Sequence, residues 1–140
     1  MLFRSGVPGP STSVVGGGTG GVNLTTGADS FVPMFDSLRS PTESAVQQVV
    51  PIAGVLSKLQ VRIDGPAGPA ASGKFYVVAV RQNGANSSVV CTILETATTC
   101  SDTSHTVTFA AGDLISVGAA PSVSNPNARA MHWTAQFSPP

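Results

Sequence analysis

Charge is scarce in this sequence. Charged side chains make up 10% of its 140 residues, and seven basic against seven acidic groups leave a formal net charge of zero. Soluble domains usually carry about a quarter charged residues. A nucleic-acid binder needs a basic face, and a neutral balance with only two lysines supplies none. The same balance excludes solubility by self-repulsion. Long apolar runs are missing too, so nothing reads as a membrane span. Met1 to Val15 holds one charge, Arg4, then prolines and serines, without the apolar stretch of a signal peptide. The expectation is a protein made in a cytoplasm, with neither nucleic acid nor membrane as partner. Cysteine is limited to Cys91 and Cys100, and two cysteines without a histidine cluster make no zinc site. In a reducing compartment they read as small buried or half-buried thiols. The alternative is a hairpin disulfide, with Thr92 facing Thr99, Ile93 facing Thr98 and the turn near Glu95 and Thr96. Such a bridge closes only a short loop, so its effect is modest.

What is abundant is Ser and Thr (30 together), Gly (15) and Pro (11). That mixture disfavours long helices and favours short strands joined by turns. Residues 1–30 stand apart, with eight of the fifteen glycines and Arg4 as the sole charge before Asp29. Their larger apolar side chains are too few to offset the entropy of ordering so much backbone. The expectation is an extended arm over 1–30 that settles only on another surface, with Leu2, Phe3, Val14, Val15, Val22 and Leu24 as its partner-binding side chains. Gly16, Gly18 and Gly21 fit G-x-G-x-x-G, but no apolar strand precedes them and no helical period follows, so a dinucleotide site is rejected.

From residue 31 the pattern becomes strand, turn, strand. Phe31–Phe35 is a short apolar piece broken by Pro33, Asp36–Ser44 a loop, and Val46–Ile52 a strand ended by Pro51. Val55, Ser57, Leu59, Val61 and Ile63 alternate with Leu56, Lys58, Gln60, Arg62 and Asp64, a strand covered on one face. Lys74–Arg81 is apolar on both faces, which marks a central strand or a subunit contact through Phe75, Val77, Val78 and Val80. Asn83-Gly84 is the strongest hairpin signal. Val89–Leu94, Thr96–Ser101, His105–Phe109 and Leu114–Val117 read as further strands, the last preceded by the turn Ala111-Gly112-Asp113. Met131, Trp133, Ala135 and Phe137 form the apolar side of the final strand. Eight or nine strands without a helix give an all-β antiparallel sandwich or barrel over 31–140.

Candidate chemistry is thin. His105 and His132 read as exposed strand histidines. Ser104, His105 and Asp102 assemble a triad only on paper, because adjacent strand residues point to opposite faces. Asp64, Asp102 and Asp113 sit at turns, where Asp bonds local backbone. Trp133 reads as core, with a sugar-stacking platform as the rival. No enzyme, cofactor or metal is expected.

Several runs resemble a small jelly-roll domain of phage virion proteins. They are Val50-Pro51-Ile52-Ala53-Gly54-Val55-Leu56-Ser57-Lys58-Leu59, Val80-Arg81-Gln82-Asn83-Gly84, Val90-Cys91-Thr92-Ile93, Ala110-Ala111-Gly112-Asp113-Leu114-Ile115-Ser116-Val117 and Ala130-Met131-His132-Trp133-Thr134-Ala135-Gln136-Phe137. The likeness spans about 31–138 in order and leaves the arm out. Members include capsid cement (decoration) proteins and modules of tail fibres. The resemblance implies a jelly-roll sandwich. It also implies a structural role on the exterior of a phage capsid, with the major capsid protein and sister copies, as a homotrimer, for partners. A receptor- or carbohydrate-binding module of a tail fibre is the alternative.

Overall fold

β-Branched and aromatic residues in short alternating runs form strands wherever Gly, Pro and Asn punctuate them. The computed structural model describes residues 11–140. The strands are β1 (Ser13–Gly18), β2 (Ser30–Val32), β3 (Gln48–Val49), β4 (Gly54–Ile63), β5 (Phe75–Gln82), β6 (Ala85–Leu94), β7 (Thr99–Phe109), β8 (Leu114–Pro121) and β9 (Met131–Ser138). The only helical element among the described residues is one 3-10 turn, Glu43–Ala45. Two antiparallel sheets result. The first has the order β1-β9-β4-β7, and the second β2-β8-β5-β6 with β3 also on β8. The protein is an all-β sandwich.

The core lies between the sheets. Leu56, Leu59, Ile63, Met131 and Trp133 from the first meet Val32, Tyr76, Val78, Ile93 and Ile115 from the second. Trp133 is buried, and its indole N–H donates to the Pro33 carbonyl at 3.1 Å. Tyr76 is buried with its hydroxyl donating to the Asn127 carbonyl at 2.8 Å. Burial pushes that phenol up to about 12, against a small opposing pull from Arg129.

Several expected elements are redrawn. The alternation of β4 changes phase. Leu56 is fully buried, as are Leu59, Val61 and Ile63, because the strand bulges at Lys58, whose φ is +56°. Opposite that point β7 also bulges, with residues 103–105 between the Thr106–Ser57 and Asp102–Leu59 pairs. The two short strands expected over 96–109 are thus one bent strand, since a bulge bends a strand without ending it. Of Val46–Ile52 only Gln48–Val49 pairs as strand. Asn83 and Gly84 both have positive φ, +52° and +83°, the signature of a primed two-residue hairpin turn.

The largest correction concerns residues 13–30. β1 is the edge strand of the first sheet, in register with β9 from Ser13–Phe137 to Gly18–His132. Its far side is held by the 33–38 segment, through Phe35 N–H to Gly16 O (2.6 Å) and Leu38 N–H to Gly18 O (3.0 Å). Backbone therefore approaches β1 closely on both sides. A Cβ at Gly16 would collide with the carbonyl oxygen of Trp133, and one at Gly17 with that of Pro33. The glycines that read as a loose linker are what lets the strand fit. The surface on which this stretch settles is the chain's own.

Candidate functional site

Most of the side chains singled out in the sequence have a definite place. Leu2 and Phe3 lie outside the described residues. Val15 and Leu24 are buried in the chain's own core, so they are withdrawn as partner-binding side chains. Val14 points outward from β1 at 78% exposure, and Val22 is half exposed. β5 divides its four candidates by parity. Val78 and Val80 are fully buried in the core and are withdrawn as subunit contacts, whereas Phe75 and Val77 stand half-buried on the outer face. The strand is apolar on both sides, so sequence alone did not tell which half turned in.

Phe75 and Val77 belong to an apolar surface. On the outer face of the second sheet Phe75 faces Leu94, Val77 lies between Thr92 and Ala120, and Ala79 lies between Val90 and Gly118. Val90 and Leu94 are among the exposed large apolar side chains. One end of this face is closed by a polar cluster. Glu43, from the 3-10 turn, accepts from Arg81 through both carboxylate oxygens (2.7 and 3.0 Å) and from the Ser116 hydroxyl at 2.7 Å. The Arg81 guanidinium also reaches Asn86 and lies 5.2 Å from the centre of the Phe31 ring. Burial pushes the Glu43 carboxyl up, but the hydrogen bonds from Arg81 and Ser116 and the charge of Arg81 outweigh it and hold it below its ordinary value.

The outer face of the first sheet is different in kind. Gln60 pairs with Thr134, and Arg62 with His132, while Gly16 and Gly18 flank Thr134 and His132 on the other side. His132 is exposed there, as expected.

The paper triad resolves into a structural group. His105 Nδ1 does reach Asp102 Oδ2, at 2.9 Å, because the β7 bulge carries it round. Ser104 contributes its amide, not its hydroxyl, to the same carboxylate. Asp102 also accepts from the Val90 and His105 amides. Burial opposes its charge, but these bonds prevail and lower its pKa to about 2. Asp102 thereby ties β6 to β7 across the two sheets. Cys91 and Cys100 do the same covalently, as a disulfide with Cα atoms 5.7 Å apart. This corrects the reading as thiols. It also replaces the expected hairpin ladder, since β6 and β7 lie in different sheets.

Asp113 bonds the local amide of Ala110, as turn aspartates do, whereas Asp64 accepts from the amide of Ala130, 66 residues away, and so ties the end of β4 to the start of β9 instead of its own turn. Among the described residues there is no group of three or more His, Cys, Asp or Glu placed to hold a metal. No helix among them is long and apolar enough to cross a membrane. Exposed apolar side chains that the sequence did not mark include Phe35, Leu38, Val49, Ile52 and Val123. Phe35 and Ile52 stood at the ends of expected apolar pieces beside Pro33 and Pro51, which gave no sign that either would face water. No protein-family model matches the chain, and no curated protein does.

Proposed function

We propose that the chain is a structural virion protein of the cement (decoration) class. In this reading it is a jelly roll that associates with itself as a homotrimer and binds the major capsid protein on the outer surface of a phage capsid. The fold reading is supported by the strand order. Every connection passes from one sheet to the other, except the β5–β6 hairpin and the β2–β3 link through the 3-10 turn. Interleaved orders of this kind are those of two Greek keys wound into a jelly roll. The resemblance adds to this, because its runs fall on β4, the β5–β6 hairpin, β6, β8 and β9.

One observation carries the assembly reading, and it is the apolar outer face around Phe75, Val77, Val90 and Leu94. An outward sheet face normally alternates to polar residues. A contiguous apolar one marks an interaction surface, and scarcity of charge suits an interface core. The capsid contact falls to the exposed side chains Val14 and Val22. Trp133, the candidate sugar platform, is enclosed in the core and serves no glycan. The test is light scattering of the full chain, then binding to expanded capsids of the phage that encodes it. A trimer that decorates capsids is expected, and Phe75→Ser with Leu94→Ser gives a folded monomer that does not. A wild-type chain that stays monomeric at tens of micromolar and leaves capsids bare sinks the proposal.

A further inference from the structure

The outer face of the first sheet is built in rows. Gly18, His132, Arg62 and Thr99 stand side by side across β1, β9, β4 and β7, and Gly16, Thr134, Gln60 and Ser101 form the next row. Directly opposed neighbours lie about 5 Å apart at Cβ. The four strands contain one acid, Asp102, and it is turned inward and buried. Lys58 and Arg62 are exposed, and neither takes part in the ion pairs found among the described residues. In a chain of zero net charge, this face therefore carries positive charge with no carboxylate on its strands to answer it. Two hollows adjoin there at His132 and Thr134. One, of about 280 Å3, is lined further by Gln60, Arg62 and Thr99. The other, of about 390 Å3, lies over Gly16, Gly17 and Gly18 and is bounded beyond them by Phe35, Asp36 and Ser37. Glycine keeps the second hollow open, since a Cβ at Gly18 would come 2.7 Å from the His132 ring.

We propose that the two hollows together bind an acidic saccharide, a sugar chain bearing a carboxylate or sulfate. Its anionic group belongs in the first hollow, where the Arg62 guanidinium offers the planar fork that matches such oxyanions. Its hydroxyls belong beside Gln60, Thr134, His132 and Asp36, which between them supply both donors and acceptors. Phe35 is the stacking ring. It is 67% exposed and sits at φ +60°, held there by its N–H bond to Gly16 O. Non-glycine residues kept in that region gather at ligand clamps. The face of an aromatic ring is negative and receives the C–H face of a pyranose. Competing occupants fit less well. A protein partner asks for an apolar anchor at the centre of the patch, and the two rows offer none. A nucleic acid asks for a run of cations along its phosphates, and the strands here bring Lys58 and Arg62. The inference is independent of the capsid reading, because it concerns the sheet face opposite the apolar one.

Amide shifts of the 15N-labelled full chain test it. The probes are trigalacturonate against its methyl ester, and sialyllactose and sulfolactose against lactose, with tetraglutamate as an acidic peptide. At least one acidic saccharide should shift the amides of Gly16, Gly18, Arg62 and Thr134 saturably, and should bind more tightly than its uncharged counterpart. Arg62→Gln should weaken that binding at least about tenfold, the loss of one hydrogen bond to a charged group, and should abolish the preference for the acidic sugar. Phe35→Ser should weaken the acidic sugar and its counterpart alike. Unchanged near-ultraviolet circular dichroism from Trp133 confirms that both variants fold. The proposal is overturned if no acidic saccharide gives saturable shifts, if the shifts fall elsewhere, if the uncharged counterparts bind equally well, or if tetraglutamate does.

Discussion

The two sheets present opposite outer faces. The first shows water Gln60, Arg62, His132 and Thr134 beside glycines, whereas the second shows Phe75, Val77, Val90 and Leu94. Both use the same inner chemistry, alternate apolar side chains closing one core. The difference therefore has nothing to do with holding the sandwich together. It separates residues that the fold needs from residues that the fold merely carries.

Neighbouring residues on one strand break or sharpen this contrast most sharply. Ile93 turns inward opposite Tyr76, and Leu94 turns outward opposite Phe75. Ile93→Ala should cost about 2–5 kcal/mol in urea unfolding. Leu94→Ala should leave monomer stability within about 0.5 kcal/mol and weaken self-association. Equal losses at the two positions would erase the distinction between the faces. Next in size is the link between the sheets. Cys91→Ala with Cys100→Ala, or reduction of the native protein, should lower stability by about 2–3 kcal/mol on the chain-entropy model, read as a shift of the urea midpoint.

Acid tests the other tie between the sheets. Against the opposing effect of burial, the backbone and His105 hydrogen bonds hold the Asp102 carboxyl down to about 2 in the folded protein, below the ordinary carboxylate range. A depressed folded pKa gives stability that is complete above the unfolded value and lost as pH falls through the folded one. Unfolding midpoints should therefore drop between about pH 4 and pH 2, with Glu43 acting in the same direction. Asp102→Asn should be less stable at pH 7 and show a flatter acid profile. The smallest effect is expected on the polar face. Thr134→Lys should change stability by no more than about 0.5 kcal/mol and leave the oligomer intact, whereas Val77→Lys on the other face should dissociate it.

Much of the fold was legible in the sequence. The Asn83-Gly84 turn, β9 and the all-β class followed from period and punctuation. Three features were not legible, each for a physical reason. β1 has three glycines in six residues, and glycine shows no propensity for the close backbone approach it permits. The bulge at Lys58 moved Leu56 from the outer to the inner face, because one irregular residue reverses the parity of those before it. The bulged β7 read as two strands. The candidate face was half legible. Phe75 and Val77 were named together with Val78 and Val80, and only the inter-sheet packing divides them.

The position of β9 also governs how the molecule comes into being. It lies between β1 and β4, so the middle of the first sheet is occupied by a segment translated more than a hundred positions after the edge it secures. The edges of β1 and β4 that face it stay unpaired until that segment leaves the ribosome. Pairing over such a distance is slow, and during synthesis both bare flanks remain open to intruders.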